Sequence, residues 1–123
     1  MVFKKLKILY IEDSENDAVL MTHHLRGLCK DIHYKRVESR TELHKILKKE
    51  KWDVIIIDNA LPTMTAFDAI ELIKKKGIET PMICVSGSEM FDIKDQCIDA
   101  GAKAFILKDN SEEFVKIVEE ILQ

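Results

Sequence analysis

The chain has 123 residues, of which 46% are hydrophobic and 33% charged, a length and composition that fit one soluble folded domain. Acidic residues outnumber lysine and arginine by 22 to 19, and the resulting net charge of -3 argues against nucleic-acid binding, which needs a basic face. Apolar runs are far shorter than the roughly 20 residues of a membrane span, and we expect neither a membrane partner nor a signal peptide.

The first part of the chain predicts a strand followed by a helix. The apolar run Leu6–Ile11 is too short for a helix and is closed by two acidic residues. Residues 14–29 then carry apolar side chains at helical spacing. Ser14 is placed to cap this helix, with Asp17 three residues further on, as in a capping box.

The same succession occurs twice more in the middle of the chain. His33–Val37 alternates in the manner of an edge strand, and a capping box that starts at Ser39 opens the second helix. Residues 54–57 are β-branched throughout, which is typical of a central parallel strand covered on both faces. Thr65 caps the third helix, and Gly77 ends it.

Two further strand and helix pairs complete the chain. We predict strands at residues 81–85 and 104–107, a short helix at residues 93–100, and a last helix capped by Asn110 or Ser111. Short strands that alternate with helices form βαβ units, whose right-handed crossovers give a parallel sheet. The predicted fold class is therefore α/β, a three-layer α/β/α sandwich around a five-stranded parallel sheet.

Polar side chains follow four of the five predicted strands. The first strand ends at Glu12 and Asp13, the third at Asp58, the fourth at Ser86 and the fifth at Lys108. Because open parallel sheets bind ligands at the carboxyl ends of their strands, we expect these side chains to lie together. Three carboxylates and one ammonium leave an excess of negative charge, and two like charges about 4 Å apart repel by roughly 4 kcal/mol at a dielectric near 20. This all-oxygen, anionic set suits Mg²⁺.

Several enzyme classes are excluded by missing motifs. The chain has neither the phosphate-binding loop of nucleotide triphosphatases nor the glycine fingerprint of dinucleotide-binding proteins. Position 60 is alanine, where a phosphatase of the haloacid-dehalogenase type needs a second aspartate. No histidine ends a predicted strand, which argues against a Ser-His-acid set at this edge.

Three widely spaced cysteines indicate the compartment. Cys29, Cys84 and Cys97 are odd in number and include no Cys-x-x-Cys pair. We therefore expect reduced, mostly buried thiols in a cytoplasmic protein, rather than a disulfide framework or a zinc site.

Five short motifs occur together between Lys5 and Leu122. They are Ile11-Glu12-Asp13, Val54-Ile55-Ile56-Ile57-Asp58 before Leu61-Pro62, Val85-Ser86-Gly87, Gly101-Ala102 and Phe105-Ile106-Leu107-Lys108. In this combination the chain resembles the receiver domains of two-component response regulators, the CheY-like family. The resemblance implies a doubly wound, flavodoxin-like (βα)5 fold with strand order 2-1-3-4-5, and one receiver domain over residues 1–123. Because the sequence contains no linker, we expect a stand-alone regulator.

The resemblance also implies how the acidic residues act. Asp58 is the expected phosphoacceptor, which takes a phosphoryl group from a sensor histidine kinase or a phosphotransfer protein. Asp13, Asp58 and the backbone carbonyl of Ala60 are expected to bind Mg²⁺ directly, with Glu12 acting through a bound water. The chain would then catalyse its own phosphorylation and dephosphorylation, without being an enzyme for another substrate.

The remaining implied roles concern charge and switching. Lys108 is expected to neutralise the developing charge, and the Ser86 hydroxyl to donate to a phosphoryl oxygen. Phe105 would rotate into the space that Ser86 leaves. The face formed by the fourth helix, fifth strand and fifth helix would then bind a downstream effector, with Met90 and Phe91 either as exposed apolar anchors or as a partly buried pair.

Some features of the sequence leave alternatives open. Asp109 stands where the family commonly has a proline, and the peptide bond before that proline is typically cis. A cis bond before a residue other than proline costs roughly 3 kcal/mol, which leaves the direction of the Lys108 side chain open.

A pseudo-receiver that binds proteins without phosphorylation is one alternative, although all five expected site side chains are present. A flavodoxin-like enzyme with a phosphate-containing cofactor is another, although Glu12 and Asp13 would repel the phosphate. Val115 and Leu122 widen the apolar stripe of the last helix beyond one face, which suggests a partner or dimer surface, and we expect a monomer or a weak homodimer.

Overall fold

In a computed structural model that describes residues 3–87 and 91–123, with only the backbone at 91 and 92, five strands alternate with five helices. The strands are β1 Leu6–Ile11, β2 Ile32–Val37, β3 Val54–Asp58, β4 Met82–Ser86 and β5 Ala104–Leu107. The helices are α1 Glu15–Leu25, α2 Arg40–Lys49, α3 Ala66–Lys75, α4 Phe91–Ala100 and α5 Ser111–Leu122.

The strands form one parallel sheet in the order β2-β1-β3-β4-β5. This order confirms the predicted flavodoxin-like, doubly wound α/β fold. In the centre of the sheet β1 pairs with β3, with Ile11 opposite Ile57, so that the carboxyl ends of both strands lie side by side.

Helices cover both faces of the sheet, which explains the continuous apolar run of β3. Ile55 and Ile57 belong to a core cluster on the side of α2, α3 and α4. Val54 and Ile56 belong to a second cluster, on the side of α1 and α5. Because successive side chains of a strand point to opposite faces, a central strand between two helical layers needs apolar residues at every position.

Side-chain caps fix where four of the helices begin. Ser14, Ser39, Thr65 and Asn110 each accept a hydrogen bond from the backbone N–H three residues further on. These caps satisfy donors that have no partner within the helix. The last helix is capped by Asn110, the first of the two residues considered from the sequence.

The structure differs from the sequence prediction at some element ends. Helix α1 ends at Leu25 and does not reach residue 29, because the N–H groups of Arg26 and Leu28 donate to carbonyls only three residues earlier, those of His23 and Leu25, at 3.2 and 2.9 Å. Gly27, a weak helix former, lies inside this turn. The fourth helix begins at residue 91, two residues earlier than predicted. Gly77 ends the α3 segment with a φ of 73°, a conformation that favours glycine.

Two findings concern the predicted surroundings of the protein. Cys29, Cys84 and Cys97 are buried and form no disulfide. Within residues 3–87 and 91–123, no helix combines the length and the apolar character that crossing a membrane requires.

Candidate functional site

An acidic cluster lies at the carboxyl edge of the sheet, where β1 and β3 end next to each other. One oxygen from each of Glu12, Asp13 and Asp58 lies within 4.8 Å of the others. The backbone N–H of Glu12 still donates to the Val37 carbonyl at 3.0 Å, so this residue continues the hydrogen bonding of β1. The structure therefore brings together the three carboxylates that the sequence placed at this edge.

The three carboxylates differ in their exposure to solvent. Glu12 is 1% exposed and Asp58 3% exposed, whereas Asp13 is exposed to solvent. Burial raises the pKa of Glu12 to about 7, and the neighbouring Asp58 acts in the same direction. Lys108 and the N–H of Ser14 act in the opposite direction but do not cancel the effect. Glu12 therefore exchanges its proton near neutral pH.

Lys108 lies among the carboxylates. Its Nζ lies 2.7 Å from Glu12 Oε1, 2.7 Å from Asp17 Oδ2 and 3.3 Å from Asp58 Oδ2. Burial opposes the charge of Lys108, but contacts with Asp17, Glu12 and Asp58 outweigh it and raise its pKa above the ordinary value. Lys108 is therefore a cation throughout the neutral range.

Backbone contacts fix both Asp58 and Lys108. The Asp58 Oδ1 accepts the N–H of Ala60 at 3.1 Å, so the two carboxylate oxygens have different partners. The N–H of Asn59 donates to the Val85 carbonyl at 2.9 Å and ties the loop after β3 to β4. The N–H of Lys108 donates to the Ser86 carbonyl at 2.8 Å, which brings the lysine next to the end of β4.

The residues expected to form the switch lie on β4 and β5. Ser86 is 3% exposed at the end of β4. Phe105 is half-buried and packs against the core cluster on the side of α2, α3 and α4. Met90 lies outside the described residues, as does the side chain of Phe91. No peptide bond of the described residues is cis, so the bond between Lys108 and Asp109 is trans.

The sequence did not predict a contact between Asp17 and Lys108. The sequence assigned it to the cap of α1, and its N–H does donate to Ser14 Oγ at 3.2 Å. Its carboxylate, however, accepts a hydrogen bond from Lys108 Nζ. Asp17 is thus a fourth acidic residue at this edge. The available signal was its position in the first turn of the helix that follows Asp13.

The donor set of the cluster fits a hard divalent cation. All the candidate ligands are oxygens, and hard ions such as Mg²⁺ bind through one or two carboxylates together with water. The four carboxylates of Glu12, Asp13, Asp17 and Asp58 share this edge with one ammonium, that of Lys108, so the cluster has an excess of negative charge. A divalent cation would relieve that excess.

Comparison with known proteins gives concordant matches. The family model "Response regulator receiver domain" matches residues 8–119. The chain is 27% identical over 111 residues to the autoinducer 2 sensor kinase/phosphatase LuxQ of Vibrio vulnificus, covering 88% of this chain but 12% of that protein. It is 24% identical over 120 residues to the two-component response regulator ORR41 of Oryza sativa subsp. japonica, covering 96% and 94% of the two chains.

A solved structure shows the same fold. The chemotaxis response regulator CheY4 of Vibrio cholerae matches with a TM-score of 0.81 at 22% identity, covering 97% of this chain and 100% of that one. At this level of identity the likeness concerns the architecture, and the roles of individual residues follow from the site geometry.

Proposed function

This chain belongs to the response regulator receiver domain family of two-component signalling, and we propose on that basis that it accepts a phosphoryl group on Asp58. In the proposed step, an Asp58 oxygen forms a bond to phosphorus while the bond from phosphorus to the imidazole nitrogen of a kinase or phosphotransfer protein breaks. The observation that carries the proposal is Asp58 itself, a buried carboxylate at the end of the central strand, 3.3 Å from Lys108 Nζ.

Three groups of this chain would prepare the transfer. The N–H of Ala60 holds the Asp58 Oδ1, which limits rotation of the carboxylate. The ammonium of Lys108 stabilises the negative charge that develops on the phosphoryl oxygens. Ser86, buried at the neighbouring strand end, donates its hydroxyl to one of those oxygens. Phosphoryl transfer depends mainly on positioning and charge neutralisation, which these groups supply.

The acidic residues would hold Mg²⁺. Asp13, Asp58 and the Ala60 carbonyl are the proposed direct ligands, and Glu12 acts through a water. The ion would supply positive charge against the phosphoryl oxygens when it is bound. The proposal is supported by the cluster of three carboxylate oxygens within 4.8 Å and by the single ammonium, that of Lys108, that lies against these carboxylates.

Phosphorylation would be read at a protein surface. We propose that Ser86 moves toward the phosphoryl group and that Phe105 follows it, which changes the α4–β5–α5 face that an effector binds. The half-buried position of Phe105, packed against the core cluster that includes Cys97 of α4, supports this coupling. The three buried, unpaired cysteines favour a reducing compartment such as the cytoplasm.

One experiment tests the phosphoacceptor. The protein is incubated with Mg²⁺ and acetyl phosphate, and its intact mass is followed. We expect a gain of one phosphoryl group in the wild type and in Asp31→Asn, which changes an exposed aspartate before β2, and no gain in Asp58→Asn. A wild type without the gain, or an Asp58→Asn variant with it, overturns the proposal and favours the pseudo-receiver alternative.

Mass is a more direct readout than intrinsic fluorescence. Trp52 precedes β3 at the opposite edge of the sheet, where its ring stacks on His33 with the centroids 5.7 Å apart. A change at Asp58 would have to cross the sheet to reach this indole. Intact mass reports the new covalent bond itself.

A further inference from the structure

We propose that Asp17 is a positioning residue for Lys108, an inference that rests on the proposed phosphoryl transfer to Asp58. Asp17 lies in the first turn of α1, whereas Lys108 follows β5. Lys108 Nζ donates to Asp17 Oδ2 at 2.7 Å, a shorter distance than the 3.3 Å to Asp58 Oδ2.

The contact with Asp17 helps to fix the orientation of the Lys108 ammonium. A lysine ammonium has three N–H donors, and Lys108 Nζ has three carboxylates around it. The ammonium donates hydrogen bonds to Asp17 and Asp58, whereas Glu12 Oε1, at 2.7 Å, is an ion-pair partner without hydrogen-bond geometry, so Asp17 fixes the direction in which the ammonium faces Asp58. A lysine ammonium is a point charge on a flexible stem of four carbons, and it needs such fixed partners to keep its direction.

The cap of α1 leaves the Asp17 carboxylate available for this task. In α3 the capping box is closed, because Asp68 Oδ2 accepts the N–H of Thr65 at 3.0 Å. In α1 the corresponding N–H, that of Ser14, donates instead to Glu12 Oε2 at 3.1 Å. Glu12 thus takes the place that the third helical residue occupies in a closed box, and the Asp17 carboxylate binds Lys108.

The consequence concerns the rate of transfer. Without Asp17, the ammonium is held by Glu12 and Asp58 alone and settles closer to the nucleophilic carboxylate. It then shields the attacking oxygen and is out of position for the phosphoryl oxygens. We expect Asp17→Ala to lower the rate of Asp58 phosphorylation at saturating acetyl phosphate by about tenfold, which is within the roughly hundredfold that a 1 Å displacement of a positioned group can cost. The acetyl phosphate concentration that gives half the maximal rate should change little.

The experiment measures phosphorylation rates by intact mass in the presence of Mg²⁺. Glu15→Ala is the matched control, because it removes one carboxylate from the same turn at an exposed position. Asp17→Asn keeps an oxygen acceptor in place and should retain most of the rate. Asp17→Ala in a Lys108→Ala background should add no further loss, because a positioning residue acts only through the lysine.

The outcomes separate this inference from the function on which it rests. If the wild type is not phosphorylated, the proposed function fails. If the wild type is phosphorylated and Asp17→Ala is as fast as Glu15→Ala, the positioning role of Asp17 is wrong. A further loss in the Lys108→Ala background also contradicts it, because Asp17 would then act by another route. Thermal unfolding of each variant shows whether a slow rate reflects lost structure.

Discussion

Glu12 and Asp58 are buried next to each other at the ends of adjacent strands, and burial together with the neighbouring carboxylate raises the pKa of Glu12 to about 7. The acidic cluster is therefore unfavourable for the fold as long as no cation is bound. Because the cluster lowers the stability of the fold without a cation, measurements of unfolding alone can test it.

The first prediction is a pH dependence of stability. The pKa of Glu12 is higher in the folded than in the unfolded chain, so its protonated side chain contributes to the free energy of unfolding. This contribution is fully present below the unfolded pKa of 4.5 and is lost as the pH rises through the folded pKa of about 7. With a chelator present, we expect Glu12→Gln to exceed the wild type in free energy of unfolding by up to about 3 kcal/mol at pH 8, and the advantage to disappear near pH 4.5.

Urea unfolding followed by circular dichroism at the two pH values measures this difference. Glu15→Gln is the matched control, since Glu15 is exposed on the first turn of α1, and it should follow the wild type. An advantage of Glu12→Gln that is equal at both pH values would show that the buried charge is not its cause.

The second prediction concerns Mg²⁺. An ion that binds only the folded state stabilises it by mass action, so adding Mg²⁺ at pH 8 should raise the melting temperature of the wild type. Asp13→Asn, which removes the exposed carboxylate of the cluster, should reduce the increase. Asp31→Asn removes an exposed charge before β2 and should leave it unchanged. An equal increase in all three proteins would indicate an ionic-strength effect without a site.

The third prediction concerns the proposed acceptor. Asp58→Asn keeps an oxygen for the Ala60 N–H and removes one of the carboxylates near Glu12. In the absence of Mg²⁺ we expect it to raise the free energy of unfolding by about 1 kcal/mol, because relief of repulsion outweighs the weakened contact with Lys108. Thermal unfolding in chelator measures the change. A lower melting temperature would contradict the crowding of negative charge.

The fourth prediction concerns the buried thiols. Burial raises the pKa of Cys84, which also lies close to Cys97, and the thiolate is the reactive form. We expect Cys84 to react with a thiol reagent only when the chain opens, so that low concentrations of urea accelerate labelling. Peptide mass mapping identifies the labelled residue. Fast labelling of Cys84 in the native protein would mean that β4 is more accessible than the structure has it.

The sequence predicted the sheet and its acidic edge for local reasons. The run at residues 54–57 is apolar at every position because helices cover both faces of β3, and the carboxylate of Asp58 follows where the strand leaves the core. Sequence periodicity alone does not show how deeply each acidic residue is buried. Glu12 still pairs with β2 through its backbone and is buried, whereas its neighbour Asp13 is exposed.

Local sequence patterns do not predict contacts between residues that are far apart in the chain. Asp17 and Lys108 are separated by 91 positions, and nothing in the spacing of either residue indicates the other. The capping pattern at Ser14 was by itself enough to explain an aspartate at position 17. The early end of α1 has a similar origin, because apolar residues continue at helical spacing beyond Leu25, although the turn around Gly27 interrupts the helix.

The ion pair between Asp17 and Lys108 also has a consequence for folding kinetics. Closing a loop of this length costs chain entropy, which grows with the logarithm of the number of residues enclosed. The contact becomes favourable only after β1, β3, β4 and β5 have aligned, since the sheet brings its two partners together. We therefore expect it to be absent from the folding transition state. Substitutions at Asp17 should accelerate unfolding and leave the refolding rate unchanged, so the lifetime of the native state depends on it.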